Sequence, residues 1–392
     1  MKNTIKIIGI ISLMLVIGFT FFSCSSDGGG GSSSPTPTPT PTPPPLVLPS
    51  RPGLYAKLPG ALGSNDTPVV DFTGLMADTG FTLAITYINN HTTTTYTLLL
   101  DDDVTSVALS SALTVLNLNL YIAGLGANRT ISFSNNGALF TVGGSQTLTL
   151  GSNITLQGRT GNTGPVVSVL TGGKLVMKSG STITGNVNSA SGGGGVKIAQ
   201  NGTFVMEGGT ISNNRSTDTS SGGGGGVYID MGAFTMSGGT ISGNAATGGT
   251  KGGGGVYMTG GNFTMSGGAS ISNNTSTKDG GGVDMSSGTF TMSGGTISGN
   301  TANAAGGGVN ATGTFNMSGG KITGNTAVTT NSGGGVYVAY GYFNVNSPAK
   351  AADIYDNHSP SSTANQVVRD TSNGPTAAVI GGSGAGVNTN GW

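Results

Sequence analysis

The clearest copy of a repeated phrase in this chain runs Gly253-Gly254-Gly255-Val256-Tyr257-Met258, then Phe263-Thr264-Met265-Ser266, then Ala269-Ser270-Ile271-Ser272-Asn273-Asn274. Seven copies lie between Val166 and Asn357, and successive copies are some 25 to 31 residues apart. Self-similarity at such a period is typical of proteins built from stacked, nearly identical structural units. The repeat therefore predicts a solenoid.

Each copy contains three short segments in which apolar and polar residues alternate. Such alternation indicates strands with one buried face and one solvated face, so we expect three strands per coil. About eight or more coils should stack in parallel, and parallel crossovers favour a right-handed coil. The predicted fold is an all-β, right-handed parallel β-helix. The expected inward rows are Phe204, Phe234, Phe263, Phe290, Phe315 and Phe343; Met177, Met206, Met236, Met265, Met292 and Met317; and Ile183, Ile211, Ile241, Ile271, Ile297, Ile322 and Ile354.

A two-residue turn follows each isoleucine segment, and its first residue is Gly, Asn or Asp in every copy. These residue types tolerate a left-handed φ. The second residue is always asparagine, and a stacked row of amides can satisfy buried polar groups from coil to coil. The predicted structural ladder consists of Asn186, Asn214, Asn244, Asn274, Asn300, Asn325 and Asn357.

Glycine is abundant and patterned, with 74 glycines in 392 residues, whereas 8% of the residues are charged. This composition fits neither an ordinary globular domain nor a charged, disordered chain. The 15 basic and 15 acidic residues give a formal net charge of zero. We therefore expect no nucleic-acid partner and no capture of partners by bulk charge.

Residues 1–23 have the order of a secretory signal peptide, with two lysines followed by an apolar stretch that ends at Phe22. The sole cysteine, Cys24, follows directly and resembles the acylated cysteine of bacterial lipoproteins, although Phe21 stands where leucine is usual in that signal. The resemblance implies a fatty acid such as palmitate on Cys24, and an outer-membrane or cell-surface location. An ordinary cleaved signal peptide and an uncleaved anchor are the alternatives.

The remaining chain divides by composition. Residues 24–50 hold the cysteine and a Gly/Ser-rich, then Pro/Thr-rich segment, which predicts a flexible and then extended linker. Residues 51–137 should form an N-terminal cap and irregular first coils, with a short capping helix over Phe81–Asn90. Residues 138–357 are the regular β-helix repeats, and residues 358–392 are expected to be a C-terminal cap or tail.

Over roughly residues 80 to 360, the repeats resemble those of spirochaetal surface lipoproteins with right-handed parallel β-helices, in the wider pectate-lyase-like superfamily. The pairing of Gly253–Val256 with Ile297–Asn300 is also similar to the GGA(I/L/V) and FxxN repeats of chlamydial polymorphic outer membrane proteins, although FxxN is mostly IxxN here. The second resemblance implies adhesion.

A polysaccharide lyase or hydrolase is the alternative function, because many β-helices cleave acidic polysaccharides with clustered carboxylates, calcium and a basic residue. Acids are sparse here: Glu207 is the sole glutamate, and His91 and His358 lie outside the regular repeats. Between residues 196 and 322, the aspartates are Asp218, Asp230, Asp279 and Asp284. These acids occupy non-equivalent positions, which does not favour the carboxylate pair, about 5–9.5 Å apart, of glycoside hydrolases. We assign no catalytic residue, cofactor or metal ligand.

Outward Thr-x-Ser pairs such as Thr240 and Ser242 predict a two-row hydroxyl face. This face resembles that of ice-binding solenoids, but hydroxyls are also simply favoured on solvated strands. Lys321 interrupts one of the two rows.

The candidate binding surface is the outward middle position of each segment that follows a glycine run, together with the adjoining loops, which vary in length. Exposed tyrosines suit contact with proteins or sugars. The row consists of Lys197, Tyr228, Tyr257, Asp284, Asn310 and Tyr337. We expect a monomeric, lipid-anchored adhesin or surface structural protein, not an enzyme, whose partner is a protein or glycan of a host or neighbouring cell. An inert soluble rod or a carbohydrate-binding protein are the alternatives.

Overall fold

A computed structural model of the chain describes residues 48–107, 113–190, 192–220, 222–330, 332–340, 342–345, 353–360 and 367–369. These residues form a parallel β-helix of about nine turns, which confirms the predicted all-β solenoid. The predicted signal peptide, Cys24 and the linker as far as residue 47 lie outside the described residues. Within the described part of the chain, no helix is both long enough and apolar enough to cross a membrane.

Three main stacks of strands run along the coil, as predicted. The first stack is a nine-stranded sheet, and the second and third stacks are two parts of a 20-stranded sheet. The strands of the first stack are Phe140–Val142, Val167–Val169, Val196–Ile198, Val227–Ile229, Val256–Met258, Val283–Met285, Val309–Ala311, Val336–Val338 and Val367–Arg369. The strands of the second stack are Thr95–Leu100, Asn119–Gly124, Thr147–Leu150, Lys174–Met177, Thr203–Met206, Ala233–Met236, Asn262–Met265 and Tyr342–Val345. The strands of the third stack are Val104–Val107, Arg129–Phe133, Ile154–Gln157, Ser181–Thr184, Thr210–Ser212, Thr240–Ser242, Ser270–Ser272 and Ile354–Tyr355. Thr289–Ser298 and Thr314–Thr323 run through both the second and the third stack.

The three predicted inward rows are confirmed. Phenylalanines of adjacent coils pair directly from Phe204 to Phe343, and their rings stack with centroids 4.6 to 4.8 Å apart. The methionine row pairs in the same way from Met177 onward, and the isoleucine row from Ile183 onward. Since identical side chains fill identical positions, each coil completes the packing of its neighbours.

A fourth, shorter stack follows the ladder asparagines, and the sequence pattern did not predict it. It is a six-stranded sheet of two-residue strands. These strands are Val187–Asn188, Arg215–Ser216, Ala245–Ala246, Thr275–Ser276, Thr301–Ala302 and Thr326–Ala327. A two-residue strand is too short to show a period of alternation, so hydrophobic patterning carries no signal for it.

The predicted left-handed turn is confirmed, since φ is 73° at Gly185, 55° at Asn213 and 52° at Asp356. The asparagine ladder is confirmed as well. The backbone N–H and the Nδ2 of Asn244 both donate to Oδ1 of Asn274, at 2.9 and 3.0 Å. The same two bonds recur in successive coils from Asn214 onward.

The ladder also extends one coil further than predicted. Asn162 is buried, and its Nδ2 donates to Oδ1 of Asn186 at 3.0 Å. The backbone N–H groups of Gly137 and Thr163 donate to Oδ1 of Asn162, each at 2.8 Å. The first amide of the ladder therefore accepts its hydrogen bonds from backbone N–H groups and not from another asparagine side chain. Asn162 lies further from its preceding strand, Ile154–Gln157, than the ladder asparagines of the later repeats lie from theirs. The repeat pattern therefore did not reveal it.

An N-terminal cap precedes the coils, as predicted. Helix α1 spans Ala77–Asn90, so it begins before the expected Phe81. Its residue at the N-cap position, Met76, makes no capping hydrogen bond, so no start signal marked this end. The other cap elements are the strands Gly53–Tyr55 and Val70–Asp71 and the 3-10 helix Pro59–Ala61. Gly53–Tyr55 pairs antiparallel with Thr95–Leu100 and covers that edge of the second stack.

At the other end, Val367–Arg369 pairs in parallel with Val336–Val338. Strand pairing in the first stack therefore continues beyond residue 357, into the segment expected to be a cap or tail. The cap and tail prediction for the rest of residues 358–392 lies largely outside the described residues.

Close backbone approach between coils makes glycine necessary in the runs. A Cβ atom at Gly254 would lie 2.5 Å from the carbonyl oxygen of Thr275 and closer still to that of Gly281. We expect Gly254→Ala to lower the free energy of unfolding by about 1–3 kcal/mol, because backbone must move to make room. Gly268→Ala is the matched control, since no atom lies within 4 Å of a Cβ placed there. Urea denaturation compares the two, and equal losses would contradict the expectation.

Candidate functional site

The candidate row lies along the middle of the first stack, in the predicted register. Lys197 pairs with Tyr228, and Tyr228 with Tyr257. The row then continues coil by coil through Asp284 and Asn310 to Tyr337. The six side chains therefore form one line parallel to the axis of the solenoid.

The expectation that this row is exposed is wrong for its four central residues. Tyr228 is 5% exposed, Tyr257 and Asp284 are each 2% exposed, and Asn310 is 6% exposed. Lys197 and Tyr337 are partly buried. At Asp284 the cause is the path of a glycine run, which packs against the outward side of the strand.

The approach of the glycine runs is visible at Asp284. A Cβ atom at Gly280 would lie 2.5 Å from Cβ of Asp284, and the backbone N–H of Gly252 donates to Oδ2 of Asp284 at 3.1 Å. Alternation along a strand gives the side of a residue, but it does not show whether a loop covers that side. The glycine runs were the available signal, because a segment without side chains can lie close against a neighbouring strand.

The buried row is a polar network. The rings of Tyr228 and Tyr257 stack with centroids 5.6 Å apart, and Nζ of Lys197 lies 5.7 Å from the centroid of the Tyr228 ring. The hydroxyl of Tyr257 lies 2.9 Å from Oγ of Ser286. Burial raises the pKa of both tyrosine hydroxyls. Both hydroxyls therefore remain protonated in neutral solution and can donate hydrogen bonds within the network.

Asp284 is the carboxylate within this network. Burial raises the pKa of its carboxyl to about 6, because the charged form loses its water. A 2.7 Å hydrogen bond from Nδ2 of Asn310 and the N–H of Gly252 act in the opposite direction, while the charge of Asp279 adds to the increase. A raised pKa is typical of a general acid, but this carboxyl lies under the glycine runs, where a polysaccharide cannot reach it.

Asp284→Asn is expected to raise the free energy of unfolding near neutral pH and to flatten its pH dependence. The folded chain keeps the Asp284 proton up to about pH 6, whereas the unfolded chain releases it near 3.8. The stability of the parent should therefore fall, by about 2–3 kcal/mol in total, as pH rises between these values. The exposed Asp101→Asn is the control, and urea denaturation across this pH window is the measurement. If the free energy of unfolding of Asp284→Asn fell with pH as steeply as that of the parent, the raised pKa of Asp284 would be contradicted.

The other acidic side chains of the repeats each make their own contacts. Glu207 forms an exposed ion pair with Lys178. Asp230 accepts a hydrogen bond from the hydroxyl of Thr259, and Asp279 accepts one from a backbone N–H. Among the described residues, no group of three or more His, Cys, Asp or Glu side chains is placed to hold a metal ion.

The hydroxyl face lies on the outward side of the third stack, and its predicted register is confirmed. Thr240 pairs with Ser270 and then Thr296, while Ser242 pairs with Ser272 and then Ser298. In three consecutive coils, the parts that form the second and third stacks contain no ionisable side chain. These parts are residues 233–244, 262–274 and 289–300.

A groove of about 730 Å³ runs beside this face. The Gly-Gly pairs between the second and third stacks line it, together with Ser270, Thr296, Lys321 and Asp353. Asp353 continues the row of Lys321 in the next coil, because Ile322 pairs with Ile354. Lys321 was visible in the sequence as an interruption of the hydroxyl row. Its neighbour Asp353 was not, because the stretch before Asp353 lacks the Met-Ser-Gly-Gly motif that aligns the earlier coils.

Comparison of the chain with protein-family models, with curated proteins and with solved structures finds no match. The β-helix is therefore established by its own strand pairing. The resemblance to spirochaetal and chlamydial surface proteins stays an interpretation of the repeats.

Proposed function

We propose that this chain is a lipid-anchored, surface-displayed β-helix that acts as an adhesin or surface structural protein. The observation that carries the proposal is the hydroxyl face on the outward side of the third stack, where three consecutive coils present hydroxyls and no ionisable side chain. Hydroxyls both donate and accept hydrogen bonds, and a backbone fixed by the asparagine ladder loses little freedom when a partner binds. Such a face suits extended contact with a polar surface.

The N-terminal sequence supports display at a membrane. Cys24 after an apolar stretch fits a lipidated N-terminus, and a lipid chain with a second membrane contact gives stable attachment. The composition of residues 35–45, which are proline and threonine in alternation and then proline, is typical of a linker between an anchor and a displayed domain.

The proposal is tested by adherence of bacteria that express the full chain to immobilised matrix proteins, cells and glycans. Expressing cells should adhere, and protease added outside should remove the chain. Cys24→Ala should abolish incorporation of labelled palmitate and reduce adherence together with surface display. Adherence that does not change when the chain is expressed and displayed would overturn the proposal.

Carbohydrate binding is the second candidate, and the groove beside the hydroxyl face favours it. Cleavage is not favoured, because Asp353 is the one carboxylate among the described residues that line this groove. Glycoside hydrolysis uses two carboxyl groups about 5–9.5 Å apart.

A further inference from the structure

We propose that the groove between the second and third stacks is a binding site for a neutral oligosaccharide, which contacts Lys321 and Asp353 in the groove and Tyr355 beside it. This inference deepens the proposed function, on which it rests, by naming a ligand class and a site.

The shape of the groove fits a short, extended chain. Its volume of about 730 Å³ lies within the range of small-molecule sites. Its floor consists of the Gly-Gly pairs 267–268, 294–295 and 319–320, which carry no side chains. Coils repeat every ~4.8 Å, so the four coils that line the groove offer roughly 14 Å of length along the axis.

The polar lining fits a ligand that is rich in hydroxyl groups and has no net charge. Lys321 supplies donors, Asp353 supplies acceptors, and Ser270 and Thr296 supply hydroxyls of both kinds. A sugar hydroxyl can pair with each of them. The opposite charges of Lys321 and Asp353 cancel along the row, so the groove gives no electrostatic preference for an acidic polysaccharide.

An aromatic ring lies beside the groove in its last coil. Tyr355 lies two residues after Asp353 on the same outward side, and its side chain is 37% exposed. It continues the row in which earlier coils carry Ser272, Ser298 and Thr323. The row therefore changes from hydroxyl side chains to an aromatic ring in the coil where the groove ends. The ring offers an apolar face to the sugar ring and a hydroxyl to its edge.

The test is calorimetric titration of the purified full-length chain with xylohexaose, cellohexaose, mannohexaose and chitohexaose, with hexagalacturonate as the acidic comparison. At least one neutral hexasaccharide should bind saturably, at least about tenfold more tightly than hexagalacturonate. Added salt should change its affinity by less than about twofold, since screening acts on charged ligands. Tighter binding of hexagalacturonate, or no binding of any neutral hexasaccharide, would overturn the inference.

Two variants locate the site. Tyr355→Ser and Lys321→Thr restore the residue types of the hydroxyl rows, so both should fold, and each is expected to weaken binding by about tenfold or more. Tyr340→Ser is the control, because Tyr340 is 67% exposed and lies between the first and second stacks, whereas the groove lies between the second and third. Binding that survives both Tyr355→Ser and Lys321→Thr would overturn this site and leave the proposed function standing. Failure of adherence in the bacterial assay would instead overturn the proposed function itself.

Discussion

Asn274→Ala is expected to lower the free energy of unfolding by about 3–5 kcal/mol, because it leaves several buried polar groups without partners at a cost of about 1–3 kcal/mol each. The Asn274 amide accepts two hydrogen bonds from Asn244, at 2.9 and 3.0 Å. It donates to the carbonyl oxygen of Ile241 at 3.0 Å and to Oδ1 of Asn300 at 2.9 Å. Urea denaturation measures the loss, and amide hydrogen exchange should show it centred on this coil.

Asn273→Gly is the matched control for Asn274→Ala. Asn273 occupies the preceding position of the same turn, is exposed and has a φ of 55°. Gly243 and Gly299 hold the equivalent position in the neighbouring coils. The control should therefore change stability by less than about 0.5 kcal/mol, as surface substitutions usually do. A loss at Asn274 no greater than the loss at Asn273 would show that the ladder does not stabilise the coil.

Phe263→Ala is the second large effect, with an expected loss of about 3–5 kcal/mol in the free energy of unfolding. The Phe263 ring is fully buried and stacks between Phe234, at 4.8 Å, and Phe290, at 4.6 Å. Its removal leaves a cavity in the middle of a row whose other members cannot shift along the axis, because each is fixed by its own coil. Thermal and urea denaturation should agree on the size of the loss.

Phe343→Ala makes the same chemical change at the end of the row. Phe343 is partly buried and stacks on one described ring, that of Phe315. We expect less than half the loss seen for Phe263→Ala, because less apolar surface returns to water. Similar losses at both positions would mean that stacking along the row contributes little to stability.

The repeat made the interior predictable. Phe263 and Asn274 recur with their neighbours at constant positions, so a common role in every coil was the simplest explanation, and the pairing confirms it. The left-handed turn was readable as well, because Gly243 and Asn273 are alternatives at one position and share a tolerance of positive φ.

The outward face was less predictable. Tyr257 and Asp284 alternate with inward residues as expected, yet both are buried. At Asp284 a glycine run covers the side chain, and alternation along the strand does not show where such a run packs. The groove at Lys321 and Asp353 depends on the register of the last coil, where the repeat pattern is weakest. Sequence periodicity therefore identifies the core of such a coil better than it identifies a binding surface.

The decisive measurement is binding of the purified full-length chain to an array of glycans and extracellular-matrix proteins, with product release monitored from every polysaccharide that binds. We expect saturable binding to at least one component and no soluble product from it. Release of product from a bound polysaccharide, or no saturable binding to any component, would contradict the proposed function.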